Sequence, residues 1–283
     1  MKIEWQNFSL DFSKKTYIMG VLNVTPDSFS DGGLYFSEKK AIEHALRLIE
    51  DGADILDIGG ESTRPGSDPV SLEEEIRRTI PVIQAVSKET NIPISIDTYK
   101  SEVARHALDA GASIVNDISG LRFDPDMPKV VSEYKAPVII MHIKGRPKDM
   151  QDNPQYEALI PEIMDYLRIS IRLANKFGIP DDKIIIDPGI GFGKTFEHNL
   201  EIIKNFKEFT ILGKPVAVGV SRKAFIGKIL GDVPPSERLE GTAAAVAISI
   251  FNGANIIRVH DVKEMSRVAK ASDAIKKGYF FQN

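Results

Sequence analysis

The stretch IIIDPGIGFGKT, residues 184–195, places three consecutive isoleucines before an aspartate and a glycine-rich loop. A short run of β-branched residues that is apolar at every position is typical of a strand buried on both faces. Similar runs recur along the chain, at YIMGVLN (17–23), ILDIG (55–59), ISID (94–97), SIVND (113–117), PVIIMH (137–142), PVAVGV (215–220) and IIRVH (256–260). Together they predict eight buried strands.

Helical patterns lie between these strands. Ser37, Ser71 and Ser101 are candidate N-caps, and Ser71 lies three residues before Glu74, as in a capping box. Further helices are predicted at 155–177, 197–209, 236–253 and 261–277, with a weaker one at 126–135. Alternating strands and helices predict an α/β protein, a single-domain (β/α)8 TIM barrel over about residues 16–278, with the N-terminal extension capping the barrel bottom. An open doubly wound sheet shares this local pattern, but eight units favour closure.

Composition excludes several function classes. The 283 residues carry a net charge of −4 and a pI of about 5.8, so a nucleic-acid partner is not expected. The absence of cysteine excludes disulfides and thiol chemistry. The sequence contains no apolar run long enough for a membrane span, and its first residues lack the features of a signal peptide. We therefore expect a cytoplasmic enzyme with no membrane partner.

Polar residues occur near the ends of most of the predicted strands, where barrel enzymes keep their active sites. By strand alternation, the side chains that can face one central mouth are those of Asn23, Asp57, Asp97, Asn116, Met141, Asp187, Arg258 and His260. Arg258 and His260 offer donors to an anion, and Asn23 offers an oxygen to Mg²⁺. The aspartates and Asn116 offer acceptors to a nitrogen heterocycle. A heterocycle carrying a diphosphate would satisfy both groups.

The loop that ends in Gly193-Lys194-Thr195 is not a nucleotide-binding P-loop. That motif requires a glycine at position 188, where this chain has Pro188, which has no N–H to give a phosphate. Lys194 is therefore predicted to be a solvated or structural lysine. Three long loops, 24–36, 60–70 and 143–154, follow strands and would lie at the same mouth.

Several segments together resemble the dihydropteroate synthase family. They are MGVLNVTPDSFSDGG (19–33), GADILDIGGESTRPG (52–66), IDTYK (96–100), NDISG (116–120), MH (141–142), DPGIGFGK (187–194), GVSRKAFIG (219–227) and RVHDV (258–262). The resemblance covers nearly the whole barrel. It implies a transferase of folate biosynthesis that joins 6-hydroxymethyl-7,8-dihydropterin diphosphate to p-aminobenzoate, giving 7,8-dihydropteroate and diphosphate. It also implies Mg²⁺ as cofactor and a homodimer packed through the last helices.

The resemblance also implies roles for individual residues. The catalytic residues would be Lys223, Arg258, Asp97 and Asp187, and Asn23 would hold Mg²⁺. The diphosphate would contact Arg258, His260, Thr63 and Arg64. The pterin would contact Asp187, Asn116, Asp97 and Lys223, in a slot lined by Ile118, Ile139 and Met141. Asp57 could act there or simply order the 60–70 loop.

For p-aminobenzoate, the resemblance implies an aryl site framed by Phe29, Pro65 and Phe192. Many family members have a hydroxyl residue directly after the lysine of SRK, but this chain has Ala224. The carboxylate is therefore expected to use backbone N–H groups, Ser221 or a loop residue.

Two alternatives remain at this stage. A methyltetrahydrofolate-dependent methyltransferase has a similar pterin site but needs no diphosphate site, so STRPG (62–66) and RVH (258–260) disfavour it. A non-catalytic pterin-binding paralogue is disfavoured by the presence of Asn23, Arg64, Lys223, Arg258 and His260.

Overall fold

Eight parallel strands form a closed barrel in the computed structural model, which describes residues 1–25 and 33–278, with only the backbone for 33–37. β1 (Lys2–Trp5) and β2 (Phe8–Asp11) form a separate two-stranded sheet. The barrel strands are β3 (Tyr17–Asn23), β4 (Ile55–Gly59), β5 (Ile94–Asp97), β6 (Ile114–Asp117), β7 (Val138–Met141), β8 (Ile184–Asp187), β9 (Ala217–Val218) and β10 (Ile256–Val259). The parallel order is β8-β7-β6-β5-β4-β3-β10-β9. A parallel bridge between Ile186 and Val216 joins the two outer strands. The predicted closure is confirmed.

Helices surround the barrel. They are α1 (Gly33–Glu50), α2 (Leu72–Glu89), α3 (Ser101–Asp109), α4 (Met127–Tyr134), α5 (Leu159–Lys176), α6 (Phe196–Lys204), α7 (Ala224–Ile229), α8 (Leu239–Phe251) and α9 (Val262–Lys277). In the described ranges, no helix is both long and apolar enough to span a bilayer.

The predicted N-caps are right at one position and wrong at two. Ser71 Oγ accepts the N–H of Glu74 at 3.3 Å, as predicted. The backbone is already helical at Gly33, so Ser37 lies inside α1. Ser101 is the first residue of α3, and its N–H is capped by the carboxylate of Asp124 at 2.7 Å.

Other boundaries also differ from the predictions. The helix predicted at 197–209 ends at Lys204 and continues as a 3-10 helix over Phe206–Leu212. The helix predicted from 236 begins at Leu239, after a 3-10 turn at Pro235–Glu237. The helix predicted from 155 begins at Leu159. Within PVAVGV only Ala217–Val218 is a strand, and Pro215 before it has no N–H for a sheet ladder.

The N-terminal hairpin closes the bottom of the barrel, as predicted. β1 and β2 pair antiparallel, and Ile3, Trp5 and Leu10 are buried. They pack against inward side chains of the strands: Tyr17, Met19, Ile55, Ile114, Ile139, Ile185, Ala217 and Ile256. Ile139 therefore belongs to the bottom core, and its predicted place in the pterin slot is wrong. It lies two residues, roughly 7 Å, below Met141 along the strand.

The barrel interior changes from apolar to polar along the strand direction. Side chains alternate along a strand, so the inward position after Ile55 is Asp57, and Asn116, Asp187 and Arg258 follow buried isoleucines in the same way. Asp97 pairs in register with Asn116. The apolar lower layer thus supports a polar layer at the carboxyl ends of the strands.

Candidate active site

A cleft opens at the carboxyl ends of the barrel strands. It is open to solvent at its mouth and is lined by both polar and apolar side chains. Its lining residues are Thr63, Asp97, Asn116, Ile118, Met141, Asp187, Ile190, Phe192, Gly219, Lys223 and Arg258. All except Ile190 and Gly219 are among the residues that the family resemblance implies. Strand register could have indicated Gly219, since it is an inward position two residues beyond Ala217.

Arg258 lies at the centre of the polar layer. Its Nε donates to Asp57 Oδ2 at 2.6 Å and its Nη2 to Asp97 Oδ2 at 2.6 Å. Asn116 Nδ2 also donates to Asp57 Oδ2, at 3.1 Å. Asp57 is completely buried below the cleft. The suggestion that Asp57 only orders the 60–70 loop is therefore wrong, since its contacts are with Arg258 and Asn116.

The ionisation of this group depends on burial and on the arginine. Burial raises the pKa of Asp97 to about 7, against the opposing effect of Arg258 and with a further rise from Asp57. Burial alone would lower the pKa of Arg258, but Asp57 and Asp97 raise it above its ordinary value. Arg258 therefore keeps its positive charge inside the barrel.

Asp187 lines the cleft at the end of β8. Burial raises its pKa to about 6, while a hydrogen bond from the N–H of Gly189 and the charge of Lys223 oppose the rise. That N–H donates to Asp187 Oδ1 at 2.6 Å. Gly189 has a φ of +69°, and a Cβ there would lie 1.9 Å from the carbonyl oxygen of His142. Only glycine lets the loop turn over β7 and keep this contact.

Lys223 and Phe192 form a second wall. Lys223 Nζ lies 4.4 Å from the centroid of the Phe192 ring, within range of a cation–π interaction. Burial and, after it, the charge of Arg258 together lower the pKa of Lys223 to about 8, while Asp187 opposes the shift. A modest change in the charges nearby can therefore alter the protonation of Lys223 near neutral pH.

His260 and Ser221 lie beside the cleft without lining it. Ser221 Oγ accepts the backbone N–H of His260 at 3.2 Å and lies 3.1 Å from Nδ1 of the same histidine. In the tautomer in which Ser221 Oγ donates to Nδ1, Nε2 carries the ring proton and can donate to a ligand. Burial lowers the pKa of His260 to about 4, with Arg258 contributing. The histidine is thus neutral at neutral pH, and the hydroxyl of Ser221 is already engaged.

Of the remaining predicted site residues, only Thr63 is among those that line the cleft within the described residues. Thr63 lines the cleft, whereas Arg64 and Pro65 are exposed on the same loop. Asn23 is half-buried at the end of β3, and Ala224 is exposed at the start of α7. Phe29 and most of the 24–36 loop lie outside the described residues. Within residues 1–25 and 33–278, no cluster of three or more His, Asp or Glu side chains could hold a metal.

Lys194 is buried, so the prediction of a solvated lysine is wrong and the structural alternative is right. Its Nζ lies 2.9 Å from His142 Nδ1 and donates to the carbonyl oxygen of Phe192 at 2.9 Å. Burial lowers its pKa well below the ordinary value. The lysine ties the 188–195 loop to the end of β7. Sequence reasoning gave no signal for this, because the partner is remote in the chain.

Comparison with known proteins agrees with this geometry. The sequence profile of the pterin binding enzyme family matches residues 19–260. Dihydropteroate synthase from Synechocystis sp. is 51% identical to this chain, over 94% of the chain and 92% of the relative. The chain belongs to the dihydropteroate synthase family. These relatives are dihydropteroate synthases and not methyltransferases, the other pterin-binding class considered above.

Solved structures of the family superpose closely. Clostridium difficile dihydropteroate synthase, crystallised in the presence of pteroic acid, is 48% identical with a TM-score of 0.89, covering 94% of this chain and 98% of its own. The Xanthomonas albilineans enzyme with 4-aminobenzoic acid is 40% identical with a TM-score of 0.91, covering 97% and 98%. The barrel is therefore the family's fold over nearly its full length.

Replacing Arg258 by methionine should destabilise the protein more at pH 8 than at pH 6. The variant leaves Asp57 and Asp97 buried without their cation, which costs about 3–5 kcal/mol. The pKa of Asp97 then rises above its present value of about 7. When folding raises the pKa of a carboxyl group, the protein loses stability as the pH rises toward that folded-state pKa. Because this pKa is higher in the variant, the variant loses more stability relative to wild type at pH 8 than at pH 6.

Urea unfolding of the variant and wild type at both pH values measures this difference. Arg168→Met is the matched control, because Arg168 makes an exposed pair with Asp165 and should change stability by at most about 1 kcal/mol. An equal loss for Arg258→Met at the two pH values would contradict the proposed coupling to Asp97.

Proposed function

We propose that this protein condenses 6-hydroxymethyl-7,8-dihydropterin diphosphate with p-aminobenzoate, using the cleft at the carboxyl ends of its strands. The observation that carries the proposal is one cleft with two chemistries. Arg258, a cation fixed by two buried carboxylates, lies in it with Asp187, a carboxylate with acceptor capacity to spare. Such a cleft can receive an anion and a hydrogen-bonding ring together.

The pterin ring fits the Asp187 side of the cleft. A carboxylate can accept two parallel N–H bonds from an amidine-like edge, as it does from arginine. Asn116 is available along another edge of the ring. Met141 and Ile118 supply apolar contact to its flat face. These contacts would fix the ring and leave its methylene carbon near Arg258.

Arg258, His260, Thr63 and Arg64 then receive the diphosphate. The bond between the methylene carbon and the diphosphate oxygen breaks, and both electrons leave with the oxygen. The aniline nitrogen of p-aminobenzoate forms the new C–N bond and gives up a proton. Because negative charge grows on the leaving group, fixed positive and N–H groups around it lower the barrier. The neutral His260 serves as an N–H donor in this arrangement.

Mg²⁺ is proposed as the cofactor, with Asn23 as its protein ligand. Mg²⁺ prefers oxygen ligands and commonly binds through one or two protein groups, phosphate oxygens and water. One amide oxygen at the mouth, with no larger acidic cluster among the described residues, fits that mode. When bound, the ion would neutralise charge on the diphosphate.

p-Aminobenzoate is proposed to lie against Phe192 and Lys223. The ring of Phe192 offers apolar contact, and the ammonium group of Lys223 lies close to it. Ser221 already contacts His260, so Lys223 and the backbone N–H groups of Ala224 and Phe225 at the start of α7 are better carboxylate partners than Ser221. This arrangement needs no hydroxyl at Ala224.

The proposal extends to a homodimer in the cytoplasm. Ala244, Ile248 and Phe251 are exposed along one stripe of α8, spaced four and three residues apart, while Val246 and Ile250 on the same helix are buried. Ile275 on the neighbouring helix α9 is also exposed. A helix that is apolar on both faces favours burial of both. The cytoplasmic location stays a prediction from the sequence.

Purified protein with Mg²⁺, dihydropterin diphosphate and p-aminobenzoate should release diphosphate and form 7,8-dihydropteroate. Removal of Mg²⁺ with a chelator should suppress the reaction, and added Mg²⁺ should restore it. Arg258→Met should lower kcat/KM by about 10²–10³-fold, as the loss of one fixed donor to a developing anion does. Arg168→Met should leave it unchanged. Pterin binding without product would instead indicate a non-catalytic paralogue, and methyl transfer would contradict the proposal.

Pterin affinity should fall as pH drops below about 6. The ionised form of Asp187 accepts the two N–H bonds, and its pKa is about 6, so the contribution of Asp187 to affinity is constant above that pH and falls about tenfold per unit below it. Calorimetric titration with 6-hydroxymethylpterin between pH 5 and 8 measures this decrease in affinity. Asp187→Asn should bind the pterin weakly, and its affinity should not decrease further below pH 6. If Asp187→Asn kept the same pH dependence, another group would be responsible.

Ile248→Glu combined with Phe251→Glu should convert a dimer into monomers, because two charges would be buried in the proposed interface. Sedimentation velocity measures the change. Ile169→Glu, at an exposed isoleucine of α5, is the control and should remain dimeric. A wild-type monomer, or a double variant that stays dimeric, would place the α8 stripe outside any interface.

A further inference from the structure

The loop at residues 60–70 is held at both ends by one side chain. Glu61 is the second residue of the loop after β4, and its Oε2 accepts the backbone N–H of Val70 at 2.9 Å. Glu61 is only 7% exposed. A buried acceptor that joins the first and last turns of a loop fixes the distance between its ends.

The same carboxylate is also bonded to the segment after β5. Tyr99 Oη donates to Glu61 Oε1 at 2.7 Å, and Lys100 Nζ donates to Glu61 Oε2 at 2.6 Å. Lys100 also donates to Glu75 on α2, which is 1% exposed. The charges of Glu61, Lys100 and Glu75 are thus joined in a buried cluster. Tyr99 and Lys100 follow Asp97 by two and three residues, so the cluster connects the loop to the strand that carries Asp97.

Backbone contacts also hold the base of the loop, where residues 60–61 leave β4 and the chain returns at Val70. Arg78 Nη1 donates to the carbonyl oxygen of Gly60 at 2.8 Å. A Cβ at Gly60 would lie 2.8 Å from Cγ2 of Thr79, so the backbone of the loop sits directly on α2. The base of the loop therefore has partners on two elements outside it.

The tip of the loop is held by weaker contacts. Gly66 N–H donates to the carbonyl oxygen of Pro147 at 3.0 Å. Lys148 and Asp68 form an ion pair at 3.0 Å, but both side chains are mostly exposed. Exposed pairs of this kind contribute about 0–1 kcal/mol. Inside the loop, Ser67 Oγ donates to the carbonyl oxygens of Ser62 and Arg64. The tip thus forms a turn of its own, and its firmest attachment to the rest of the barrel is at Glu61.

We propose that Glu61 is a positioning residue for Thr63 and Arg64. Glu61 does not line the cleft, and Thr63 reaches it two residues further along. By fixing where the loop leaves β4 and where it returns at Val70, the carboxylate sets the place of Thr63 in the cleft and the range over which Arg64 can move. This inference rests on the proposed function, in which Thr63 and Arg64 contact the diphosphate.

The test is Glu61→Gln, which keeps the size of the side chain and removes its charge. Loss of a group that orients an active-site residue typically costs 10–100-fold, so kcat/KM should fall by about that factor. The Kd for 6-hydroxymethylpterin should change by less than about twofold, because Asp187 and Asn116 lie on other strands. In a Thr63→Ala/Arg64→Ala background, Glu61→Gln should add less than about twofold, since the residues it positions are already absent.

Glu73→Gln is the matched control, because Glu73 is an exposed glutamate in the first turn of α2, and it should leave all three quantities unchanged. An equal loss of kcat/KM in both backgrounds, or a parallel loss of pterin binding, would mean that Glu61 supports the barrel generally. Unchanged kcat/KM would equally overturn the proposal.

Hydrogen exchange at residues 62–70 gives a readout that does not require activity. It should accelerate in Glu61→Gln and remain unchanged in Glu73→Gln, because the Val70 N–H loses a charged acceptor. If the wild type proved inactive but the exchange responded in this way, the proposed function would be refuted and the proposed role of Glu61 in ordering the loop would stand. Unchanged exchange in Glu61→Gln would refute the proposed role of Glu61 in ordering the loop.

Discussion

The placement of one buried arginine governs the upper half of the barrel. Arg258 donates to carboxylates on β4 and β5, and Asn116 on β6 donates to one of those carboxylates, so a single group connects four strand ends. A buried ion cluster of this kind is weak evidence for stability, because desolvation offsets much of the attraction. The cluster does fix the orientation of the Arg258 guanidinium group. With Nε and Nη2 committed to Asp57 and Asp97, the remaining N–H groups are those that a ligand in the cleft can use.

This polar cluster is tolerated because the lower half of the barrel is apolar. The hairpin side chains Ile3, Trp5 and Leu10 fill the bottom with the isoleucines of the strands. The layers are two residues apart on each strand. The buried apolar residue of a strand therefore offsets the cost of burying the polar residue two positions further along. The division also separates the two demands on the sequence, since the lower positions need volume and the upper positions need particular functional groups.

Features that repeat along the chain were predictable from the sequence. Buried runs predicted the strands, strand alternation predicted that Asp97, Asn116, Asp187 and Arg258 would meet, and the family resemblance predicted most of the cleft. Features that depend on remote partners were not. Asp124 caps α3 from outside the helix, Lys194 Nζ contacts His142, and Glu61 accepts hydrogen bonds from Val70 and Lys100. Ile139 was misplaced because periodicity gives the face of a strand and not the depth along it.

The cleft combines negative and positive groups whose protonation lies close to neutrality. The pKa of Asp97 is about 7 and that of Lys223 about 8, whereas His260 is held neutral by burial and by Arg258. An anion beside Arg258 offsets the positive charge that lowers the pKa values of both Lys223 and His260, so its arrival raises both. The same anion disfavours a charged Asp97. In the proposed function, a diphosphate bound beside Arg258 would therefore be accompanied by proton uptake into the cleft. Its departure would restore the positive potential of Arg258 and favour release of those protons.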